Sequence, residues 1–296
     1  MKDNLRQEMS LPFISTESEG VNVSFEFFPP KSENMEDTLW QSINVLAPMK
    51  PNFVSVTYGA GGTTKEATQN IVKEIKRETN LNVAAHLTCV GASKSEIKDI
   101  ADQYWEEGIK HIVALRGDLP KGHNQGSDGY KYANELVADL KSFHDFEISV
   151  GGYPEKHPEA SSMEEDLKNL KRKIDAGADR VISQFFIEPK LFIDFHEKAR
   201  DIGITVPIVP GILPITNFDG AVKFAKLCGT SIPQWLHSLF SGLDEHQQQT
   251  KQIIGATVAA EQCRVLYEHG VRDFHFYTLN KAELTLAICH MLGKRV

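Results

Sequence analysis

From residue 22 to the C terminus the chain alternates two patterns: short runs dense in Val, Ile, Phe and Tyr, and longer polar stretches whose apolar residues return every three or four positions. The first pattern suits strands and the second helices, because β-branched and aromatic side chains favour pleated surfaces and a 3.6-residue period marks one helical face. Eight strand candidates emerge, at residues 22–28, 53–58, 83–89, 111–116, 147–153, 180–186, 206–212 and 273–279, each followed by a helical stretch. Helix starts are signalled locally: Ser93-x-x-Glu96 and Ser162-x-x-Glu165 have the spacing of capping boxes. Ile97, Ile100, Ala101 and Tyr104 mark one apolar face. Gly108, Gly177 and Gly203 each stand between a helical stretch and a strand, where left-handed backbone releases the chain.

Strand–helix alternation implies a parallel sheet covered on both faces, and eight units over roughly 250 residues match an α/β fold of the closed (β/α)8 TIM-barrel type. An open, doubly wound sheet is the competing architecture. The expected organisation is a polar segment over residues 1–20 and a single catalytic domain over residues 21–296. Two stretches depart from the ideal unit. Residues 217–269 predict extra helices between strands seven and eight, one of them begun at Ser231-Ile232-Pro233. Residues 119–129, rich in Gly, Asn, Asp and Ser, predict a mobile connection after strand four that could cover a ligand.

Charge narrows the function further. Thirty-two Lys and Arg against forty Asp and Glu leave a net charge of −8, so nucleic acid is not an expected partner. Four scattered cysteines, Cys89, Cys228, Cys263 and Cys289, form no C-x-x-C pair, which argues for reduced thiols and against a disulfide framework or a structural zinc. No metal site is expected. The first twenty residues lack the apolar core of a secretory signal, and no run of eighteen apolar residues occurs. A cytoplasmic protein without membrane contact is the expectation.

Chemistry in such barrels sits at the C-terminal strand ends. Polar residues there form a ring: Glu26, Thr57, Tyr58, His86, Thr88, Arg116, Asp118, Tyr153, His157, Gln184, Asn280 and Lys281. Glu26, inside Val-Ser-Phe-Glu-Phe-Phe, reads either as a desolvated general acid of raised pKa or as a carboxylate paired with a barrel cation. Arg116-Gly117-Asp118 fits a ligand-facing turn and plain turn punctuation equally well. His86 alone reads more simply as a satisfied barrel histidine, since no second histidine shares metal spacing with it. Asp166, Asn169, Arg172 and Lys173 share one helix face, which could grip a polar cofactor tail or merely be solvated. Gly59-Ala60-Gly61-Gly62 is more simply a tight turn than a phosphate loop. No G-x-G-x-x-G follows a strand, and no lysine lies where a Schiff base would form.

Taken together, the motifs Ser24-Phe25-Glu26-Phe27-Phe28-Pro29-Pro30, Val54-Ser55-Val56-Thr57-Tyr58-Gly59-Ala60, His86-Leu87-Thr88-Cys89, Ala114-Leu115-Arg116-Gly117-Asp118, Tyr153-Pro154-Glu155-x-His157-Pro158, Ser183-Gln184-Phe185-Phe186, Pro210-Gly211-Ile212-Leu213-Pro214 and Phe274-His275-Phe276-Tyr277-Thr278-Leu279-Asn280 closely resemble the bacterial methylenetetrahydrofolate reductase family. The resemblance runs in order from about residue 21 to the C terminus and does not extend to the regulatory C-terminal domain of eukaryotic members. It implies non-covalent FAD, NADH or NADPH as co-substrate, and reduction of 5,10-methylenetetrahydrofolate to 5-methyltetrahydrofolate by ping-pong hydride transfer, supplying methyl groups for methionine. NADH is the expected donor, and a homo-oligomer the expected state.

By residue, the resemblance implies that Glu26 is the general acid and that Asp118 is catalytic, lying near both flavin and pterin. Tyr58, Ala60, His86, Arg116, Gly117, Asp118, Ala133, Tyr153, His157, Ala160, Asp166, Asn169, Arg172 and Lys173 would surround FAD. Thr57, Asp118, Tyr153, Gln184, Phe224 and Lys281 would meet the substrates. Three positions depart from the family pattern: Gly220 stands for a folate-contacting Gln, Lys281 for an Arg, and Gly151-Gly152 for alanines beside the flavin, the last pair with little expected change of shape. Lys281 keeps charge but loses the guanidinium fork. Two other functions compete: a flavin-binding barrel without turnover, acting as a partner subunit, and a colourless folate-binding barrel for methyl transfer.

Overall fold

The computed structural model describes residues 20–58, 65–117, 128–244 and 246–294. The first strand, β1 (Asn22–Phe27), shows how sequence becomes layer. Val23, Phe25 and Phe27 point outward and are almost wholly buried under helices, while Ser24 and Glu26 point into the barrel. Helix α1 (Glu33–Leu46) follows, capped by Ser32, which accepts from Met35 N–H. Then come β2 (Val54–Val56), α2 (Lys65–Glu78), β3 (Val83–Thr88) and α3 (Lys94–Glu106). Next are β4 (His111–Leu115), α4 (Ala133–Phe143), β5 (Glu147–Gly152), α5 (Met163–Asp175), β6 (Arg180–Ser183) and α6 (Pro189–Asp201). All strand pairs from β1 to β6 are parallel, and β9 (Asp273–Tyr277) pairs with β1, as the barrel expectation requires.

The local signals perform as expected with one exception. Ser93 and Glu96 form a complete reciprocal capping box, and Ile97, Ile100, Ala101 and Tyr104 are the buried face of α3. At the start of α5 only half of the expected box forms: Ser162 accepts from Glu165 N–H, while the Glu165 carboxylate pairs with Arg172. Gly108, Gly177 and Gly203 all take positive φ, at 77°, 113° and 80°.

Strand seven is a correction. The run 206–212 is not one strand but two, β7 (Ile208–Val209) and β8 (Gly211–Ile212), broken at Pro210. β7 pairs with β6 and β8 with β9, so the chain itself bridges the last gap and completes the ring. Proline has no N–H to continue a ladder, but its carbonyl accepts from His275 N–H at 3.0 Å. Gly211 is required at the crossing: a Cβ there would overlap the Ser183 carbonyl and stand 2.6 Å from the Tyr277 ring.

The segment between β8 and β9 holds three helices, α7 (Phe218–Cys228), α8 (Gln234–Phe240) and α9 (Gln248–Glu268), in agreement with the predicted insertion. They enclose a small core of their own around Ile187, Ile215, Ala221, Leu236 and Phe240. The last helix, α10 (Ala282–Met291), packs beside α1 and α9. No described helix is long and apolar enough to cross a membrane, and all four cysteines are free thiols. The segment 1–19, Gly59-Ala60-Gly61-Gly62 and most of the predicted 119–129 loop lie outside the described residues.

Candidate active site at the C-terminal strand ends

The C-terminal ends of the strands surround a cavity of about 380 Å³. Its wall takes Glu26 from β1, Thr57 and Tyr58 from the end of β2, His86 from β3, Tyr153 and Gln184 from the ends of β5 and β6, and Tyr277 from β9. Phe224 enters from α7, half exposed, with its ring stacked on Phe185 at 5.5 Å between centroids and 8° between planes. An aromatic face beside an open cavity is a ready platform for a planar ligand. Gln184 has its side-chain carbonyl occupied by Phe185 N–H at 2.9 Å, which leaves its amide NH₂ as the donor for the cavity it lines.

Glu26 sits among histidines. Its Oε2 is 3.2 Å from His86 Nε2 and 3.5 Å from His275 Nε2, with the Glu26 side chain only 16% exposed. Only the His275 contact is aligned as a hydrogen bond; His86 Nε2 is buried without one. Burial pushes the carboxyl up, but the two imidazoles outweigh it and hold the group down to about 2. This corrects the expected raised pKa. The aromatic neighbours in sequence, Phe25 and Phe27, face the other side of the strand, so what surrounds the carboxylate inside the barrel is imidazole.

Beside the cavity, past β4 and β5, lies a shelf of polar groups. Arg116 donates to Glu159 at 2.6 Å and to the Gly117 carbonyl at 3.2 Å. Gly117 has φ +84° and would place a Cβ 3.0 Å from Thr88 Cβ, so glycine is needed for the turn itself. The His157 ring stacks edge-on against Tyr153 at 4.6 Å, and the His157 backbone N–H donates to Asp166 Oδ2 at 2.8 Å. Ala160 N–H donates to the His157 carbonyl at 3.0 Å. Lys173 reaches back from the last turn of α5 to the Gly151 carbonyl at 2.6 Å, and burial lowers its ammonium to about 8. Asn169 and Arg172 contact one another on the exposed side of the same helix. Ala133 opens α4, whose N-cap residue Tyr132 provides no side-chain hydrogen bond.

Three comparisons bear on these residues. The family model described as methylenetetrahydrofolate reductase matches residues 14–293. The 5,10-methylenetetrahydrofolate reductase of Escherichia coli (strain K12) is 51% identical over 275 residues, covering 93% of this chain and 92% of that one. This chain belongs to the methylenetetrahydrofolate reductase family. A plant member, "Methylenetetrahydrofolate reductase (NADH) 1" of Arabidopsis thaliana, is 35% identical over 94% of this chain but only 49% of its own length. Among solved structures, an uncharacterised protein from Clostridium thermocellum, described as binding two copies of 5-methyl-5,6,7,8-tetrahydrofolic acid, aligns with TM-score 0.61. It covers 92% of this chain and 94% of its own, at 12% identity, so it supports the barrel fold alone.

Against the family's residue pattern, Glu26, Thr57, Tyr58, His86, Tyr153, Gln184 and Phe224 come together around one cavity, and Arg116, Gly117, His157 and Lys173 stand on the shelf beside it. Asp118 and Ala60 lie outside the described residues. Lys281 does not line the cavity; it is exposed at the N-cap of α10, and its N–H donates to the Thr278 carbonyl at 2.9 Å. Gly220 receives the α7 cap from Asn217 at 3.1 Å. The Gly151-Gly152 expectation needs correcting at one position. A Cβ on Gly151 would meet only Leu115, at 3.7 Å, whereas one on Gly152 would stand 2.7 Å from Val181 and 2.9 Å from Phe195. Gly152 is therefore set by packing against α6, and alanine there would force a shift. The sequence reading missed His275, a neighbour of Glu26 that occupies an ordinary inward position of β9.

Proposed function

We propose that the chain reduces 5,10-methylenetetrahydrofolate to 5-methyltetrahydrofolate with FAD as the bound cofactor and NADH as the donor, the two substrates using the cavity in turn. When bound, FAD supplies a hydride acceptor that takes two electrons from the nicotinamide and returns them to the folate. The single observation that carries the reading is the convergence of Glu26, Gln184 and Phe224, from three distant parts of the chain, on one cavity in a member of this family.

The residues present suit the cofactor. His86 Nε2 is buried and without an aligned partner among the described residues, so it has a hydrogen bond to give or take. Gly151 has no side chain on the cavity wall, which permits close approach of a flat ring to backbone. Arg116, Lys173 and the helix start at Ala133, which lacks a side-chain cap, are the kind of donors a diphosphate needs. Tyr58, Ala160, Asp166, Asn169 and Arg172 complete the proposed cofactor set, with Asp166 ordering the His157 loop.

Toward the substrates, Phe224 offers its ring for stacking, Gln184 offers an amide donor, and Thr57 and Tyr153 flank the opening. Glu26 delivers the proton that opens the folate's five-membered ring. Lys281, at the rim, attracts the carboxylate tail as a point charge. The methyl product would serve methionine synthesis. Replacing Glu26 with Gln is expected to leave flavin reduction by NADH within about twofold while slowing reduction of methylenetetrahydrofolate by the 10²–10⁴-fold typical of a lost general acid. Equal loss in both half-reactions, measured by anaerobic stopped flow, would remove Glu26 from this role.

A further inference from the structure

The shelf proposed for the cofactor and the ring proposed for the substrate stand on distant parts of the chain, and one carboxylate joins them. Residues 153–160, between β5 and α5, carry Tyr153, His157 and Ala160 of the shelf. Their conformation is held from within: Lys156 takes φ +89°, its backbone N–H donates to the Tyr153 carbonyl at 3.2 Å, and its ammonium donates to the Ala160 carbonyl at 2.5 Å. Left-handed backbone in a residue other than glycine is uncommon and persists where the surroundings fix it. From the same turn Glu155 reaches the inserted helices, and both its carboxylate oxygens accept from Ser231 N–H, at 3.0 and 3.1 Å.

Ser231 is the last residue of a short seat. Gly229 closes α7 with φ +74°, and a Cβ there would stand 3.1 Å from Pro158 Cγ and 3.4 Å from the Lys156 carbonyl oxygen. Thr230 donates from Oγ1 to the Phe185 carbonyl and from its backbone N–H to the Ala225 carbonyl, both at 2.9 Å. Phe185 is the residue on which Phe224 stacks. The end of α7, one turn past Phe224, is thus fixed both by Phe185 and by residues 155–158 of the shelf. Solvation does not call for the Glu155 bond, since it is exposed and water could satisfy Ser231 N–H as well. Water could not tie together two segments 76 residues apart. Glu155 itself does not line the cavity.

We infer that Glu155 is a positioning residue that couples the cofactor shelf to Phe224, so that seating of residues 153–160 against bound FAD sets the ring for the substrate that stacks on it. This rests on the proposed assignment of FAD to the shelf and of substrate to Phe224. The bond is charge-assisted, which gives it the strength to transmit a shift between the two segments. Coupling of this kind is reciprocal: a ligand stacked on Phe224 holds residues 153–160 in place and tightens the grip on the cofactor.

The test is amide hydrogen exchange, read by mass spectrometry, on wild type, Glu155→Ala and Glu155→Gln with FAD removed and restored. In wild type, FAD is expected to slow exchange at residues 153–160 and also at residues 224–231, by about fivefold or more. In Glu155→Ala the first segment should still respond and the second should not. Glu155→Gln keeps an acceptor oxygen for Ser231 N–H and should restore the second response. A residue that only stabilised the fold would leave both responses in place. In parallel, the affinity for FAD is measured with and without saturating 5-methyltetrahydrofolate, and the factor by which the folate tightens FAD is expected to fall about fivefold in Glu155→Ala. Residues 224–231 indifferent to FAD in wild type, or a Glu155→Ala protein with the exchange responses and tightening factor of wild type, overturns the inference. A wild type that takes up no FAD, or whose residues 153–160 do not respond to it, defeats the functional reading and the inference with it; wild type alone decides that outcome, so the two failures are distinct.

Discussion

At the scale of single residues, Glu26 shows both what sequence can reveal and where it stops. A carboxylate inside an aromatic strand is anomalous enough to mark a candidate site, and Glu26 does line the cavity at the strand ends. Its environment was not legible, because strand alternation sends Phe25 and Phe27 outward, while His86 and His275 arrive from β3 and β9, the latter about as far away in sequence as the chain allows. His275 itself carried no signal, since Phe274-His275-Phe276-Tyr277 reads as one more core strand. The lowered pKa of Glu26 has a consequence for stability. A carboxyl held at about 2, against an ordinary 4.5, stabilises the fold above pH 4.5 and loses that contribution as pH falls from 4.5 through 2. At about 1.4 kcal/mol per unit the full effect is on the order of 3 kcal/mol. Urea unfolding at pH 7, 4.5 and 3 should therefore show the stability advantage of wild type over Glu26→Gln shrinking with acid. A constant or growing advantage would contradict the assignment.

At the scale of elements, the barrel was legible because each unit carries its own punctuation: a capping box at Ser93, buried positions at helical spacing, and glycines of positive φ before strands. The division of strand seven was not, because 206–212 is an unbroken apolar run and only Pro210 hints at a change of partner. The tight seat of α9 was also invisible. Gly255 lies in the middle of that helix, where alanine is normally better by about 0.5–1 kcal/mol. Here a Cβ would overlap the carbonyl of Ile215, a backbone atom that cannot swing away. Overpacking of this kind costs about 1–3 kcal/mol, so it outweighs propensity. Gly255→Ala is expected to lower stability by about 1–2 kcal/mol in denaturant unfolding; a more stable variant would show that α9 shifts without cost.

At the scale of the whole molecule, ring closure is what makes the site. Glu26 and His275 meet because β9 pairs with β1, and Gln184 comes to the same mouth as Tyr277 because β6 and β9 converge on Gly211. The inserted helices then bring Phe224 over the opening, and Glu155 ties them to the shelf by accepting from Ser231 N–H at 3.0 Å. The proposed acid Glu26, the Phe224 ring and a basic shelf are thereby held on one barrel. We propose that this barrel runs both half-reactions through one bound flavin. The most direct measurement is an anaerobic absorbance titration of the purified protein loaded with FAD, adding NADH and then methylenetetrahydrofolate. The expected result is bleaching of the flavin band by NADH and its full recovery on addition of the folate. A protein that does not retain FAD, or a flavin that bleaches and never recovers with the folate, would contradict it.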